Sequence, residues 1–517
     1  MHIHCFVPRG YQGHLVTVEV DIRRGIPGTE IVGLPGGAVR EARERVRTAI
    51  RNCGLLYPQD RIIINLVPAG VPKTGASFDL AIALAILQAS GQLRQEDADA
   101  HSPPAAGILA LGELQLNGEI RPVSGVLAAV VAARHEGIRR VVVPSANSGE
   151  ASITPGLQVQ AVRALPDALR PFSEAPSGAP RSHPPTEAAP GVPLHGGGEA
   201  SDVDFAELRG RSLVKRVAEV AAAGGHSLLL VGPPGVGKSL ALSCYPGILP
   251  DLAGERAIEA TRIHSIAGTL RNGAGLLRRP PVRRPHHSAS REGLIGGGAM
   301  VLPGEVSLAH GGVLCLDEVL EFPPRVLQSL RQPLQDGSVT IARAGEQYWF
   351  PAEFQLVLAT NPCPCGYRNS EVARCLCSEM ETARYWKRLG GALLDRIELR
   401  LEITGKNGDL LSAGKTEGSA PMRERVAAAR TRQRERYDGE GTNASVAYST
   451  LRSRADLPER AEALLRAGAQ HLRLSNRGVT QALRVAHTIA DLDAKEVPDE
   501  LCVSEALQYR RFAARWE

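Results

Sequence analysis

The sequence predicts an α/β protein. A P-loop core of the αβα type is preceded by a smaller mixed α+β domain and followed by a helical C-terminal domain. Three observations predict it. A short apolar strand runs into a glycine-rich loop and then a helix at 226–244. A second apolar strand at 312–318 ends in two acids. A stretch rich in Pro, Gly, Ser and Ala at 171–203 cannot bury a core and divides the chain as a linker.

Before the linker, strand and helix patterns alternate. Residues 14–21 alternate like a strand, 37–51 are charged and helical, and 61–67 read as a buried strand. An apolar helix is expected over 78–89, a hairpin-like segment over 107–120, a helix over 122–135 and a strand over 140–144. After a second weak stretch at 405–420 the pattern is purely helical, over 421–436, 458–469, 476–492 and 503–516. The expected organisation is an N-terminal domain 1–170, a linker 171–203, a nucleotide-binding core 204–405 and a helical lid 419–517. A length of 517 residues fits about three domains at roughly 150 residues each.

Composition excludes several classes. The start lacks a basic segment followed by an apolar run, and no apolar stretch approaches a membrane span, so neither export nor membrane insertion is expected. Nine cysteines, four of them clustered at 363–377, do not form a secreted disulfide framework; a reducing cytoplasm is expected. The net charge of +5 permits a nucleic-acid partner without demanding one.

The nucleotide site is the strongest signal. Gly232, Pro233, Pro234, Gly235, Val236, Gly237, Lys238 and Ser239 satisfy G-x-x-x-x-G-K-[ST] in full. The glycines let backbone N–H groups wrap phosphates. Lys238 is expected on the β/γ-phosphates of ATP and Ser239 on Mg²⁺. Asp317 and Glu318 leave the second strand where one acid can hold magnesium through water and the other can orient the attacking water. A further strand over 354–360 delivers Asn361 to the same end.

Cys363, Cys365, Cys375 and Cys377 form two C-x-C pairs on one loop. Four thiolates suit tetrahedral zinc; a regulatory disulfide and reduced thiols are the alternatives. Arg271, Arg278, Arg279, Arg283, Arg284 and Arg291 lie between the two phosphate-site motifs, and Arg343 lies in 339–347. They read either as a surface basic patch or as contacts to a DNA backbone.

The motifs RPHHSASR at 284–291, LIGGGA at 294–299, PGEVSLAHGGVLCLDE at 303–318, NPCPCGY at 361–367 and LLDRIEL at 393–399 join the P-loop in one resemblance. Over nearly its whole length the chain resembles the magnesium-chelatase-like AAA+ ATPases of the YifB/ComM group. That resemblance implies a homo-hexameric ring, a helix-2 insertion and a hairpin before the sensor strand. It implies Asn361 as the polar sensor, Arg396 as an arginine finger reaching a neighbour's ATP, and Arg484 as a second sensor. His487 stands where a second arginine often follows. ComM proteins act as DNA helicases promoting branch migration in natural transformation, which implies DNA as partner.

The N-terminal part resembles the Lon protease domain, a ribosomal S5-like fold, through PKTGAS at 72–77 and GELQLNGEIRPVSG at 112–125. Ser77 falls near the serine register, but Leu127 stands where the catalytic lysine belongs. A serine without that base is a poor nucleophile, so no protease is expected. Three activities then compete: a DNA-translocating helicase, a protein remodeller, and a chelatase motor. The Lon-like domain and the C-x-C pairs disfavour the last.

Overall fold

The computed structural model describes residues 2–93, 107–170, 203–343, 345–368, 370, 373–403, 416–439, 441–454 and 456–511. The expected linker 171–203, apart from Val203, lies outside the described residues, as do 405–415 of the second weak stretch.

The N-terminal part is built on a seven-stranded mixed sheet. Its order is Gly28–Val32, Arg61–Val67, Gln12–Arg23, Ile3–Arg9, Ile108–Ala110, Arg140–Pro144 and Gln158–Val162. The first hairpin and its pairing with Arg61–Val67 are antiparallel; the far strands run parallel. The hairpin expected over 107–120 is shorter than its sequence suggests. Ile108–Ala110 joins the main sheet, and only Glu113 and Leu114 pair, with Arg121 and Ile120. Helix Gly37–Asn52 buries Val39, Ala42, Val46, Ala49 and Ile50, the spacing of one helical face. Helix Asp79–Ala89 is buried almost all round, which explains its uninterrupted apolar run. At its start Asp79 is fully buried and takes a two-pronged hydrogen bond from Arg45 (2.8 and 2.9 Å), locking the two helices together.

The second part holds a five-stranded sheet, ordered Val282–Arg283, Val313–Leu316, Gln355–Thr360, Leu228–Val231 and Leu399–Glu402. Every pairing is parallel, so all strands deliver their C-terminal ends to one edge. Their residues are buried nearly throughout, as a sheet covered on both faces requires. Two hairpins project from this core. Gly296–Gly297 pairs with Leu302–Pro303, and Ser338–Arg343 pairs with Glu346–Pro351, with Arg343 opposite Glu346 beside the turn. The hairpins touch: a Cβ built on Gly296 would lie 3.0 Å from Ile341 Cδ1.

The C-terminal part is helical: Ser419–Arg436, Tyr448–Arg454, Glu459–His471, Asn476–Leu492 and Glu500–Gln508. Ser475 and Asp499 cap the last two through Gly478 and Cys502 N–H. The final helix stops at Gln508, short of the expected 516, and residues 512–517 are outside the described set. Buried Asp491 accepts from both Arg436 and Asn443, and Thr488 bonds His226 beside the core sheet.

The N-terminal domain is welded to the core. One hydrophobic cluster contains its strands and helices together with Ile263, Ile266, Val301, Leu308 and Phe350. The turn at Gly10 grips the second hairpin: Tyr11 N–H donates to Trp349 O (2.8 Å), the two rings meet edge-on at 5.6 Å, and Arg9 pairs with Glu346 at 3.1 Å. The Arg262 guanidinium covers the other side of Tyr11 at 4.3 Å.

Candidate nucleotide site

At the C-terminal edge of the parallel sheet, Leu228–Val231 ends and the chain turns through the glycine-rich loop into helix Lys238–Cys244. Gly235 and Gly237 hold φ of +79° and +93°, a backbone region that only glycine enters freely. Lys238 is buried, and its ammonium donates to Gly232 O (2.6 Å), Pro233 O (2.8 Å) and Asn361 Oδ1 (3.1 Å). Burial pulls its pKa down to about 8, partly offset by Asp317 and Glu318. Neighbouring strands end alongside: Val313–Leu316 delivers Asp317 and Glu318, and Gln355–Thr360 delivers Asn361. Glu318 is exposed and sits at φ +48°, a region non-glycine residues rarely adopt, directly after Asp317, whose Oδ1 accepts the Glu318 N–H (2.9 Å).

Ser239 and Asp317 both border this loop, exposed and half-buried respectively. A hydroxyl and a carboxylate beside a phosphate-wrapping loop are the hard oxygen donors that magnesium accepts, so the residues present fit that ion.

Arg396 and Arg484 lie elsewhere. Both line a cavity of about 1000 Å³ together with Ser227, Val313, Gln355 and Glu398, which belong to strand beginnings. The cavity is therefore at the opposite edge of the sheet. Strands of four to six residues separate the edges by about 13–20 Å at roughly 3.3 Å per residue. Arg396 reaches Ala392 O (2.8 Å) and Gln335 Oε1 (2.7 Å); Arg484 reaches Val446 O (2.6 Å). The structure thus does not bring Arg484 to its own chain's Lys238. Arg477, which sequence reasoning missed, lines the same cavity. Burial, then Arg477 and Arg331, lowers the pKa of Arg396, an arrangement that an incoming anion would relieve.

Two expected DNA contacts require correction. Arg283 is buried and forms a two-pronged ion pair with Glu305 (2.6 and 2.8 Å). Arg284 turns inward to Leu242 O (2.6 Å) and Ser243 Oγ (3.2 Å). The two-residue strand Val282–Arg283 pulls this segment into the sheet, where the arginines face protein rather than solvent. Arg291 and Arg343 remain exposed, by the two hairpins.

The four clustered cysteines do converge. Cys363 Sγ lies 3.4 Å from Cys365 Sγ and 3.6 Å from Cys375 Sγ; Cys365 and Cys375 are 3.6 Å apart. All four sulfurs fall within 4.8 Å of one another and are free thiols. Zinc–sulfur bonds of about 2.3 Å in a tetrahedron place sulfurs roughly 3.8 Å apart, so the donor set fits that metal. Cys365 N–H also points at Cys377 Sγ (3.4 Å).

In the N-terminal domain Leu127 is wholly buried, and its N–H donates to Ser265 Oγ of the core (3.3 Å). Leu127, which the Lon resemblance sets where the base is expected, is here part of the contact between domains.

Residues 204–410 match the family described as "Magnesium chelatase, subunit ChlI", residues 18–147 match "Subunit ChlI of Mg-chelatase" and 416–510 match "Magnesium chelatase, subunit ChlI C-terminal". The chain is 39% identical over 510 residues to the uncharacterized protein YifB of Escherichia coli, covering 98% of this chain and 96% of the relative. It is 38% identical over 503 residues to the competence protein ComM of Haemophilus influenzae, covering 97% and 95%. The chain belongs to the YifB/ComM-type, magnesium-chelatase-like AAA+ family. Its N-terminal part is also 28% identical over 152 residues to Lon protease 2 of Bacillus subtilis, 26% of each chain. Membership implies ATP and Mg²⁺ as ligands. No helix among the described residues is long and apolar enough to cross a membrane.

Proposed function

We propose that this family member hydrolyses ATP as a homo-hexameric ring and uses the energy to move along DNA, as a helicase or branch-migration motor. One observation carries the ring: Lys238, Asp317 and Asn361 gather at one sheet edge, while Arg396 and Arg484 gather at the other. Arginines that cannot serve their own pocket can complete a neighbour's, and a head-to-tail interface of that kind closes into a ring.

In this reading the glycine-loop N–H groups and Lys238 hold the phosphates, Ser239 and Asp317 hold magnesium, which neutralises phosphate charge, and Glu318 orients water. Asn361 senses the terminal phosphate. Lys238 spends its hydrogen bonds on Gly232 O, Pro233 O and Asn361 until phosphate oxygens compete for them. The cysteine loop holds one zinc per chain, which elemental analysis of protein purified without added metal checks.

DNA as the substrate rests on the exposed Arg291 and Arg343 near two adjacent hairpins and on likeness to a protein named for competence. The contacts would go to the phosphate backbone and weaken with salt. The test is ATPase activity with and without single-stranded, duplex and forked DNA. Stimulation lost in Arg343→Glu, with basal hydrolysis kept, supports the reading; no stimulation by any DNA sinks it. One observation favours remodelling of protein instead: Met300 and Leu302, in the first hairpin, are 64% and 43% exposed and offer an apolar grip. Stimulation by an unfolded polypeptide and not by DNA would select that alternative.

A further inference from the structure

We propose that the metal held by Cys363, Cys365, Cys375 and Cys377 is a positioning element of the ATP pocket, acting by pressing Gly366 against Pro234 of the phosphate loop. This deepens the functional reading above and rests on its assignment of zinc to the cysteines.

The chain leads directly from one site to the other. Asn361, whose Oδ1 accepts from the Lys238 ammonium, is two residues before Cys363. Gly366 immediately follows Cys365, and its N–H donates to Cys363 O (2.9 Å), so the ligand pair fixes its backbone. That backbone holds φ +83°, and a Cβ there would lie 2.8 Å from Pro234 Cδ, 3.0 Å from Pro234 Cγ and 3.7 Å from Asn361 Cγ. The cysteine loop thus lies directly on both the phosphate loop and the sensor, and only glycine permits that approach.

The second ligand pair supplies the brace. Cys375 and Cys377 lead into helix Glu379–Lys387, capped by Ser378, whose own N–H donates in return to the Glu381 carboxylate (2.8 Å). From that helix Trp386 Nε1 donates to Pro362 O (3.0 Å). A metal shared by the two pairs ties the exit of the sensor strand to a capped helix, and Gly366 is carried between them. Without metal, four sulfurs within 4.8 Å are left with only weak thiol hydrogen bonds between them, and the hold on Pro234 loosens.

The test uses the full chain. Zinc is counted by elemental analysis, then stripped with a chelator and restored. At each stage the affinity for a fluorescent non-hydrolysable ATP analogue is measured, together with melting and far-UV circular dichroism. The expected result is one zinc per chain, affinity about tenfold weaker after stripping, equivalent to about 1.4 kcal/mol, and recovery on adding one equivalent of zinc with unchanged circular dichroism. Gly366→Ala keeps four thiols and the zinc, yet should weaken the analogue and raise the KM for ATP more than it lowers kcat. A loop that only stabilises the fold would shift melting and leave affinity alone. Equal affinity in loaded and stripped protein, or wild-type affinity in zinc-loaded Gly366→Ala, overturns the coupling while the zinc site stands. Zinc near zero with no uptake overturns both. Failure of the zinc-loaded wild type to bind the analogue would instead remove the ATPase reading.

Discussion

Replacing Arg283 with alanine separates a structural arginine from a DNA-binding one. Its side chain is 4% exposed, and its two hydrogen bonds to Glu305 run at 2.6 and 2.8 Å. Removing one partner of a buried ion pair costs about 3–5 kcal/mol, because the other charge is stranded. The Glu305 side chain keeps 22% exposure and can rehydrate in part, which favours the low end, about 3 kcal/mol. A domain of this size loses roughly 2–4 °C of Tm per kcal/mol, so the drop should be about 6–12 °C. Differential scanning calorimetry at fixed nucleotide concentration reads it. A double variant, Arg283→Met with Glu305→Leu, should recover most of the loss, since an apolar pair avoids the stranded charge. If Arg283→Ala melts like wild type while DNA affinity collapses, the ion pair is not what the side chain is for.

Lys238→Ala should weaken nucleotide binding, whereas Glu318→Gln should retain ATP and stall turnover; full steady-state activity in Glu318→Gln would take it out of the water-orienting role. Mixing Arg396→Ala with Lys238→Ala subunits should restore part of the ATPase rate, because one class of interface regains both groups. No rescue would remove Arg396 from the role of completing a neighbour's pocket. Glu150 is buried where the two domains meet, and that burial pushes its pKa up to about 7 despite bonds from Ser265, Asn147 and the Val126 and Leu127 N–H groups. The folded state then holds more protons than the unfolded one between about pH 4.5 and 7, so stability falls as pH rises through that window. Glu150→Gln should melt higher than wild type at pH 8 and lose the slope; a lower Tm there would contradict it.

Much of the core was legible because its signals are local. An apolar run of four residues ending in a glycine-rich loop, or in Asp317 and Glu318, can only be a buried parallel strand with chemistry at its exit. The cysteines were equally readable, since their partners are fourteen or fewer residues away. The failures are long-range. Paired arginines among prolines look like a projecting loop, and nothing near Arg283 announces Glu305, 22 residues on, or a two-residue strand. Arg484 lies in a helix whose periodicity is plain, but periodicity does not say at which end of a distant sheet that helix docks. The pact between the N-terminal domain and the core was hidden for the same reason. Ile263, Ile266 and Phe350 read as interior residues of their own segment, and the linker's composition suggests separation where the interior is continuous.

That continuity changes what the first hundred and seventy residues can be. A domain on a tether can be cut off, swapped or left behind while an engine works. Here Tyr11 sits between Trp349 and Arg262, and the same oily interior reaches from the outer sheet to the hairpin base. Any displacement of the hairpin would haul this mass with it or tear the seal and expose that interior to water. The Lon-like part is thus built into the chassis of the core rather than hung beside it.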